Sequence, residues 1–288
     1  MVRMTEGSVW RCREHAFPLG ERTLLMGIVN VTPDSFSDGG RFLGADDAVK
    51  HALQMAADGA DILDVGGEST RPGAEDVSLD EELARVLPVI DGIRAELPDI
   101  PLSIDTRRPE VAGRAIAAGA AIVNDVSAAA DPAMLPLVKE TGVGIVLMHM
   151  KGEPKTMQER PAYEDVVIEV RTFLAARLGA AVAAGVPRDR LCVDPGIGFG
   201  KNLHHNLELL RHIGSFRDLR VPVLVGASRK RFIGELTGVA DPAQRVEGTA
   251  GAVAWCAGQG VDVLRVHDVR EMARVVRVVD AITRGDAR

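Results

Sequence analysis

The chain has 288 residues, 46% hydrophobic and 26% charged, so it is long enough to bury a sizeable core and is composed like an ordinary soluble protein. Its net charge of −7 excludes the basic footprint of a nucleic-acid binder and the polybasic surface that anionic lipid attracts. Three widely spaced cysteines, Cys12, Cys192 and Cys256, make neither a disulfide framework nor a zinc site and suit a reducing compartment, so the chain is expected in the cytoplasm, with neither nucleic acid nor membrane as partner.

Residues 1–20 are interrupted by Arg3, Glu6, Arg11, Arg13 and Glu14 and lack a signal peptide's apolar run. No later run approaches the ~18 apolar residues of a membrane helix. Residues 8–22 read as a hairpin or plug beneath the remaining elements. Short β-branched runs then alternate with longer amphipathic stretches rich in alanine and leucine. Strands are predicted at 24–30, 62–65, 102–104, 122–124, 144–148, 191–193, 222–225 and 263–266. Helices are predicted between and after them at 45–58, 79–97, 108–118, 132–141, 163–184, 202–214, 242–258 and 269–283. Asp131-Pro132 and Asp241-Pro242 put a cap before a first-turn proline, and Gly59, Gly119, Gly185 and Gly260 separate a helix from the next strand.

Eight βα units with near-continuous apolar strands indicate parallel strands buried on both faces. An open dinucleotide-binding sheet would carry G-x-G-x-x-G after its first strand, but that strand ends in Asn30-Val31-Thr32-Pro33. The expected fold is therefore α/β, a (β/α)8 TIM barrel with a short N-terminal hairpin and long βα loops. It is read as one domain over residues 1–288, with the barrel proper at about 23–284.

A barrel of this kind builds its active site from the residues just past the C-terminal end of each strand. In order, those ends present Asn30, Glu68, Asp105, Asn124, His149, Asp194, Ser228-Arg229-Lys230 and Arg265-x-His267. Any one of them could be a simple turn residue, but eight in phase at one end point to a site. Asp105, Asn124 and Asp194 suit a flat heterocycle with a donor-rich edge, because a carboxylate accepts two parallel N–H bonds. The competing structural role for Asp105 is an ion pair with Arg107 or Arg108. Arg71, Arg229, Lys230, Arg231, Arg265 and His267 form a cationic set near the last two strands, where barrels commonly hold phosphate. Loops at 32–40, 66–73 and 150–160 are too long for plain connections.

Eight strings in these segments closely resemble, in order, those of the dihydropteroate synthase family. They are MGIVNVTPDSFSDGG (26–40), DVGGESTRPG (64–73), SIDT (103–106), NDVS (124–127), LMHMKGEPKTMQ (147–158), DPGIGFGKN (194–202), GASRKRFIG (226–234) and RVHDV (265–269). The resemblance implies a transferase of folate biosynthesis that condenses 4-aminobenzoate with 6-hydroxymethyl-7,8-dihydropterin diphosphate, giving 7,8-dihydropteroate and pyrophosphate. It further implies that pyrophosphate leaves first, leaving a delocalised methylene cation on the pterin. The residues that would carry catalysis are Asp105, Asp194, Lys230, Asn30 and Arg265. By the same resemblance Asp105, Asn124, Met148, Asp194 and Lys230 would bind the pterin. Asn30, Ser69, Arg71, Arg265 and His267 would hold the diphosphate, and Asn30 would also hold Mg²⁺. Phe36, Thr70, Pro72, Phe199, Ser228 and Lys230 would frame the aminobenzoate. On this reading Arg265→Ala should weaken diphosphate binding and spare the bare pterin. A sulfonamide mimics 4-aminobenzoate and would compete for its pocket; the shape around Phe36, Thr70, Pro72 and Phe199 decides between a sensitive enzyme and a tolerant form acquired for resistance. A homodimer through the late outer helices is also implied.

Two features depart from the family pattern: alanines occupy 128–130 where many relatives carry glycine, and Arg231 stands where some have serine. The alternative readings are a corrinoid-dependent methyltetrahydrofolate methyltransferase barrel and a non-catalytic pterin-binding paralogue. The first would not need Arg265-x-His267, and the second would be expected to have lost loop or cation residues.

Overall fold

The chain first forms a hairpin, β1 (Val9–Cys12) paired antiparallel with β2 (His15–Pro18). Trp10 and Cys12 are fully buried, and the Trp10 indole donates to the Arg190 carbonyl at 3.2 Å. The computed structural model describes residues 8–31, 41–68, 77–152, 157 and 161–285, with only the backbone described at 41–43. Phe36, Ser69, Thr70, Arg71 and Pro72 lie outside the described residues.

Eight parallel strands come next: β3 (Leu24–Asn30), β4 (Ile62–Gly66), β5 (Leu102–Asp105), β6 (Ile122–Asp125), β7 (Gly144–Met148), β8 (Leu191–Asp194), β9 (Leu224–Val225) and β10 (Val263–Val266). Their order runs β8-β7-β6-β5-β4-β3-β10-β9, and a parallel bridge between Val193 and Val223 joins the two ends, so the sheet closes as a (β/α)8 barrel. Around it lie α1 (Arg41–Ala57), α2 (Leu79–Glu96), α3 (Pro109–Ala117), α4 (Met134–Thr141), α5 (Val166–Ala183), α6 (Leu203–Arg211), α7 (Arg231–Thr237), α8 (Val246–Gly258) and α9 (Val269–Arg284). No described helix is long and apolar enough to cross a membrane.

The two-residue period of a strand sorts its side chains. Leu25, Leu63, Val123, Ile145, Val193 and Leu264 face the helices in the outer core. Met26, Ile62, Ile122, Val146, Cys192 and Val263 point inward, where Trp10, Cys12 and Phe17 of the hairpin join them to seal the floor. The hairpin is therefore the plug expected from residues 8–22. Gly144 is the close approach that admits it, since a Cβ there would stand 2.3 Å from Cys12 Sγ.

Predicted strand positions agree with the structure, and Gly59, Gly119, Gly185 and Gly260 all adopt positive φ between helix and strand. Three local expectations need correction. Residues 231–237, outside every predicted helix, form α7, which is too short to show a hydrophobic period. The Asp-Pro signals each act one turn before their helix. Asp131 accepts from Ala133 N at 2.9 Å ahead of α4, and Asp241 caps a separate 3-10 turn, Pro242–Gln244, ahead of α8.

Candidate active site

Above the apolar floor the inward positions turn polar. Asp64 on β4 and Ser103 on β5 are neighbours in register, and both are completely buried. The next inward positions, Asp105, Asn124, Met148, Asp194 and Arg265, line the mouth of a cavity of about 1080 Å³ at the C-terminal ends of the strands. Asn30, Phe199, Ser228, Lys230 and His267 line the same cavity. The structure thus brings together every described residue given a binding or catalytic role from sequence, while His149, also named among the strand ends, does not line the cavity.

One hydrogen-bonded chain crosses the barrel. Arg265 Nε donates to Asp64 Oδ2 at 2.6 Å, and its terminal nitrogen donates to Asp105 Oδ2 at 2.7 Å. Asn124 Nδ2 donates to the same Asp64 oxygen at 3.0 Å. Asp105 is therefore ion-paired, but with Arg265 across the barrel. Its sequence neighbours turn elsewhere: Arg108 pairs with buried Glu82 at 2.6 Å, and Arg107 reaches Glu68 at 3.4 Å. Thr106 Oγ1 donates to the other Glu82 oxygen at 2.7 Å, so this second network ties the end of β5 to α2. Burial pushes the Asp105 carboxyl up; Arg265 pulls it back, and Asp64 adds to the rise.

Asp194 occupies the end of β8, where Gly196 N donates to its Oδ1 at 2.7 Å. Gly196 has φ 70°, and a Cβ there would stand 1.9 Å from the His149 carbonyl oxygen, so only glycine makes this turn. Burial raises Asp194 to about 6, against the pull of that N–H and of Lys230, Lys201 and Arg265. The Lys230 ammonium sits 4.0 Å from the centre of the Phe199 ring, a cation–π contact within the cavity.

Ser228 and His267 form a pair. His267 N donates to Ser228 Oγ at 3.2 Å, and that Oγ lies 3.0 Å from His267 Nδ1. Two further members of the cationic set, Arg229 and Arg231, line the cavity and are ion-paired. The Arg229 guanidinium grips Asp268 at 2.5 and 3.0 Å, and Arg231 pairs with Glu235 with its side chain 81% exposed.

Sequence reasoning missed Asp64 and Lys201. Asp64 lies inside a run that otherwise reads as a buried strand, although its parity with Ile62 places it inward. Lys201, 2% exposed, stands in the DPGIGFGKN string but closes no strand. Among the described residues no group of three or more His, Cys, Asp or Glu side chains is placed to hold a metal ion.

Residues 26–267 match the family model described as pterin binding enzyme. The chain is 48% identical over 257 residues to the dihydropteroate synthase of Escherichia coli K12, covering 89% of this chain and 90% of that one. Among solved structures it resembles Xanthomonas albilineans dihydropteroate synthase with 4-aminobenzoic acid, with TM-score 0.90 and 48% identity, over 96% of this chain and 98% of that one. It also resembles Yersinia pestis dihydropteroate synthase in a sulfonamide drug complex, with TM-score 0.90 and 42% identity, over 96% of this chain and 100% of that one.

Proposed function

The chain belongs to the dihydropteroate synthases of the pterin-binding enzyme family, and from that premise we propose how its residues divide the work. The reaction joins 4-aminobenzoate to 6-hydroxymethyl-7,8-dihydropterin diphosphate, forming 7,8-dihydropteroate and releasing pyrophosphate. The observation that carries the division is one cavity with two carboxylates, buried Asp194 and partly buried Asp105, beside the cations Arg265 and Lys230.

Asp194 takes the donor-rich edge of the pterin, with Asn124, Asp105, Met148 and Lys230 around it; a buried carboxylate is a strong acceptor for two N–H groups. The C–O bond from the pterin methylene to the diphosphate then breaks, and its electron pair leaves with pyrophosphate. The positive charge left on the pterin spreads through its ring, where Asp105 and Asp194 hold fixed negative charge close by. The arylamine nitrogen of 4-aminobenzoate forms the new C–N bond and gives up a proton. Arg265, His267, Ser69 and Arg71 are proposed to hold the departing diphosphate. Phe199, Ser228 and Lys230 are proposed to frame the aminobenzoate with Phe36, Thr70 and Pro72.

Mg²⁺ is proposed to arrive with the diphosphate. A single amide oxygen from Asn30 at the end of β3 fits an ion that keeps waters and phosphate oxygens as its other ligands. When bound, it would neutralise charge on the leaving group. A homodimer through late helices is proposed as well, because Leu236, Trp255, Val278 and Ile282 on α7, α8 and α9 expose apolar surface. Sedimentation of the purified chain decides that point.

The test of the reaction is pyrophosphate release from the dihydropterin diphosphate with Mg²⁺, with and without 4-aminobenzoate. Release that depends on aminobenzoate, with dihydropteroate formed, supports the reading. No release from a chain that still binds pterin would favour the non-catalytic alternative. A sulfonamide arm distinguishes a sensitive enzyme from a tolerant one.

A further inference from the structure

Lys201 has no role in the proposed chemistry, yet it is the most deeply buried lysine beside the cavity, with 2% of its surface exposed. Its ammonium lies 2.9 Å from the Phe199 carbonyl oxygen, 3.3 Å from the His149 carbonyl oxygen and 3.0 Å from His149 Nδ1. An ammonium has three protons, and three acceptors surround it. Those acceptors belong to two different loops: His149 lies just past β7, and Phe199 lies in the turn after β8.

The turn itself depends on this bridge. Gly196, Gly198 and Gly200 all take positive φ, so the backbone there is glycine-dependent. Asn206 holds it from α6: its Oδ1 accepts from Gly198 N at 2.7 Å, and its Nδ2 donates to the Lys201 carbonyl at 3.3 Å. Tyr163 closes the other side, donating to the Gly200 carbonyl at 2.9 Å. Phe199, which carries the Lys230 ammonium on its ring, and Asp194, which opens the turn, are thereby placed by the same few bonds.

We propose that Lys201 is a positioning residue of the pterin site, clamping the Phe199 and His149 carbonyls and keeping a positive charge next to Asp194 so that this carboxyl meets the pterin ionised. The inference rests on the pterin reading of the site. The titratable and charged groups facing Lys201 are Asp194, Lys230, Lys151, His149 and His205; those facing Asp194 are Lys230, Lys201 and Arg265. Burial lowers Lys201 to about 7 and His149 to about 3, so the imidazole is the neutral acceptor of the pair. Asp194 and Lys201 pull in opposite senses: the cation lowers the carboxyl, and the carboxyl raises the ammonium. Removing the cation therefore raises Asp194 further.

The test is calorimetric binding of 6-hydroxymethyl-7,8-dihydropterin to the full chain across a pH series, with thermal unfolding measured in parallel. Lys201→Gln keeps donors for the two carbonyls and removes the charge. It should fold with a near-unchanged melting point, move the acid limb of pterin binding up by about one pH unit and weaken binding there about tenfold. Lys201→Met removes both and should add a lower melting point and weaker 4-aminobenzoate binding, because Phe199 is released. Wild-type pH dependence in Lys201→Gln would overturn the inference and leave the pterin reading standing. Absence of pterin binding by the unaltered chain would overturn both.

Discussion

Arg265 and Asp64 meet at 2.6 Å inside the barrel, and Asp64 is completely buried. The carboxylate receives a second hydrogen bond from Asn124, while its Oδ1 finds no partner among the described residues. A charge so placed is tolerable only because its partner is fixed, and removing one member of a buried pair typically costs about 3–5 kcal/mol. Asp64→Ala should therefore lower stability by that order, read as a loss in denaturant midpoint. It should also weaken the pterin site through Asn124 and Arg265. An unchanged midpoint would mean that Asp105 alone suffices as the counter-ion of Arg265.

Arg265 behaves differently from what its position near a phosphate subsite suggests. One guanidinium spans Asp64 and Asp105, so the residue assigned to diphosphate also sets the geometry of a pterin carboxylate. Arg265→Ala would take from Asp105 the cation that holds its carboxyl down and leave the neighbouring Asp64 to push it up, which favours its protonation. The expected outcome is loss of diphosphate binding together with a fall of about tenfold in affinity for the bare pterin. Arg265→Lys, which offers one point charge for a two-pronged contact, should recover the pterin affinity only in part. Pterin titration of both variants checks this. Full pterin affinity in Arg265→Ala would restore the purely diphosphate role expected from sequence.

Much of this architecture was legible because the barrel has a simple grammar. Eight apolar runs separated by amphipathic stretches set the order of strands, and polar residues at their ends marked one rim. Parity explains most of what was missed. Asp64 shares an inward face with Ile62, so a buried acid at that position is aimed into the barrel, yet a continuous apolar string conceals the direction of each side chain. Lys201 was hidden for a different reason, since its partners are backbone carbonyls of His149 and Phe199, which no side-chain pattern reveals. Arg229 lines the cavity as its string suggests, but its ion pair with Asp268, a residue 39 positions away, is equally invisible in that string.

Alanines at 128 and 129 place ordinary side chains in the left-handed region, with φ 57° and 56°. The turn is held by force of contacts: the Asp125 carboxylate accepts from Ser127 N at 2.7 Å and Ala129 N at 2.9 Å, and Arg177 donates to the carbonyls of Ala128 and Ala129 at 2.7 and 2.6 Å. A left-handed non-glycine residue costs roughly 1–2 kcal/mol, part of which glycine returns as unfolded-chain entropy. Ala128→Gly or Ala129→Gly should each raise stability by about 0.5–1 kcal/mol, or about 1–3 °C in melting point. Arg177→Ala should act the other way, by releasing both carbonyls. Calorimetric melting of the three variants tests the argument, and a glycine variant that melts lower would show that the strain is absent.

Asp194 couples stability to pH in a direction opposite to binding. Burial raises its carboxyl to about 6, above the ordinary 3.8 of the unfolded chain, so the folded state holds the proton more tightly between those values. The stability this contributes is present below the unfolded value and is lost as pH rises through about 6, of the order of 3 kcal/mol at most. Pterin binding runs the other way, because the ionised carboxylate is the better acceptor for the pterin's N–H groups. The melting-point rise produced by a saturating pterin should therefore grow from about pH 5 to about pH 8, while the contribution of Asp194 to the melting point of the free chain falls over the same range. Asp194→Asn keeps an acceptor for the Gly196 N–H and cannot ionise. It should melt several degrees above the unaltered chain near pH 8, still exceed it near about pH 5, converge on it only towards about pH 3, and bind pterin poorly throughout. If Asp194→Asn melts below the unaltered chain at high pH, the carboxylate is stabilising the fold in its charged form, and burial is not what governs its proton.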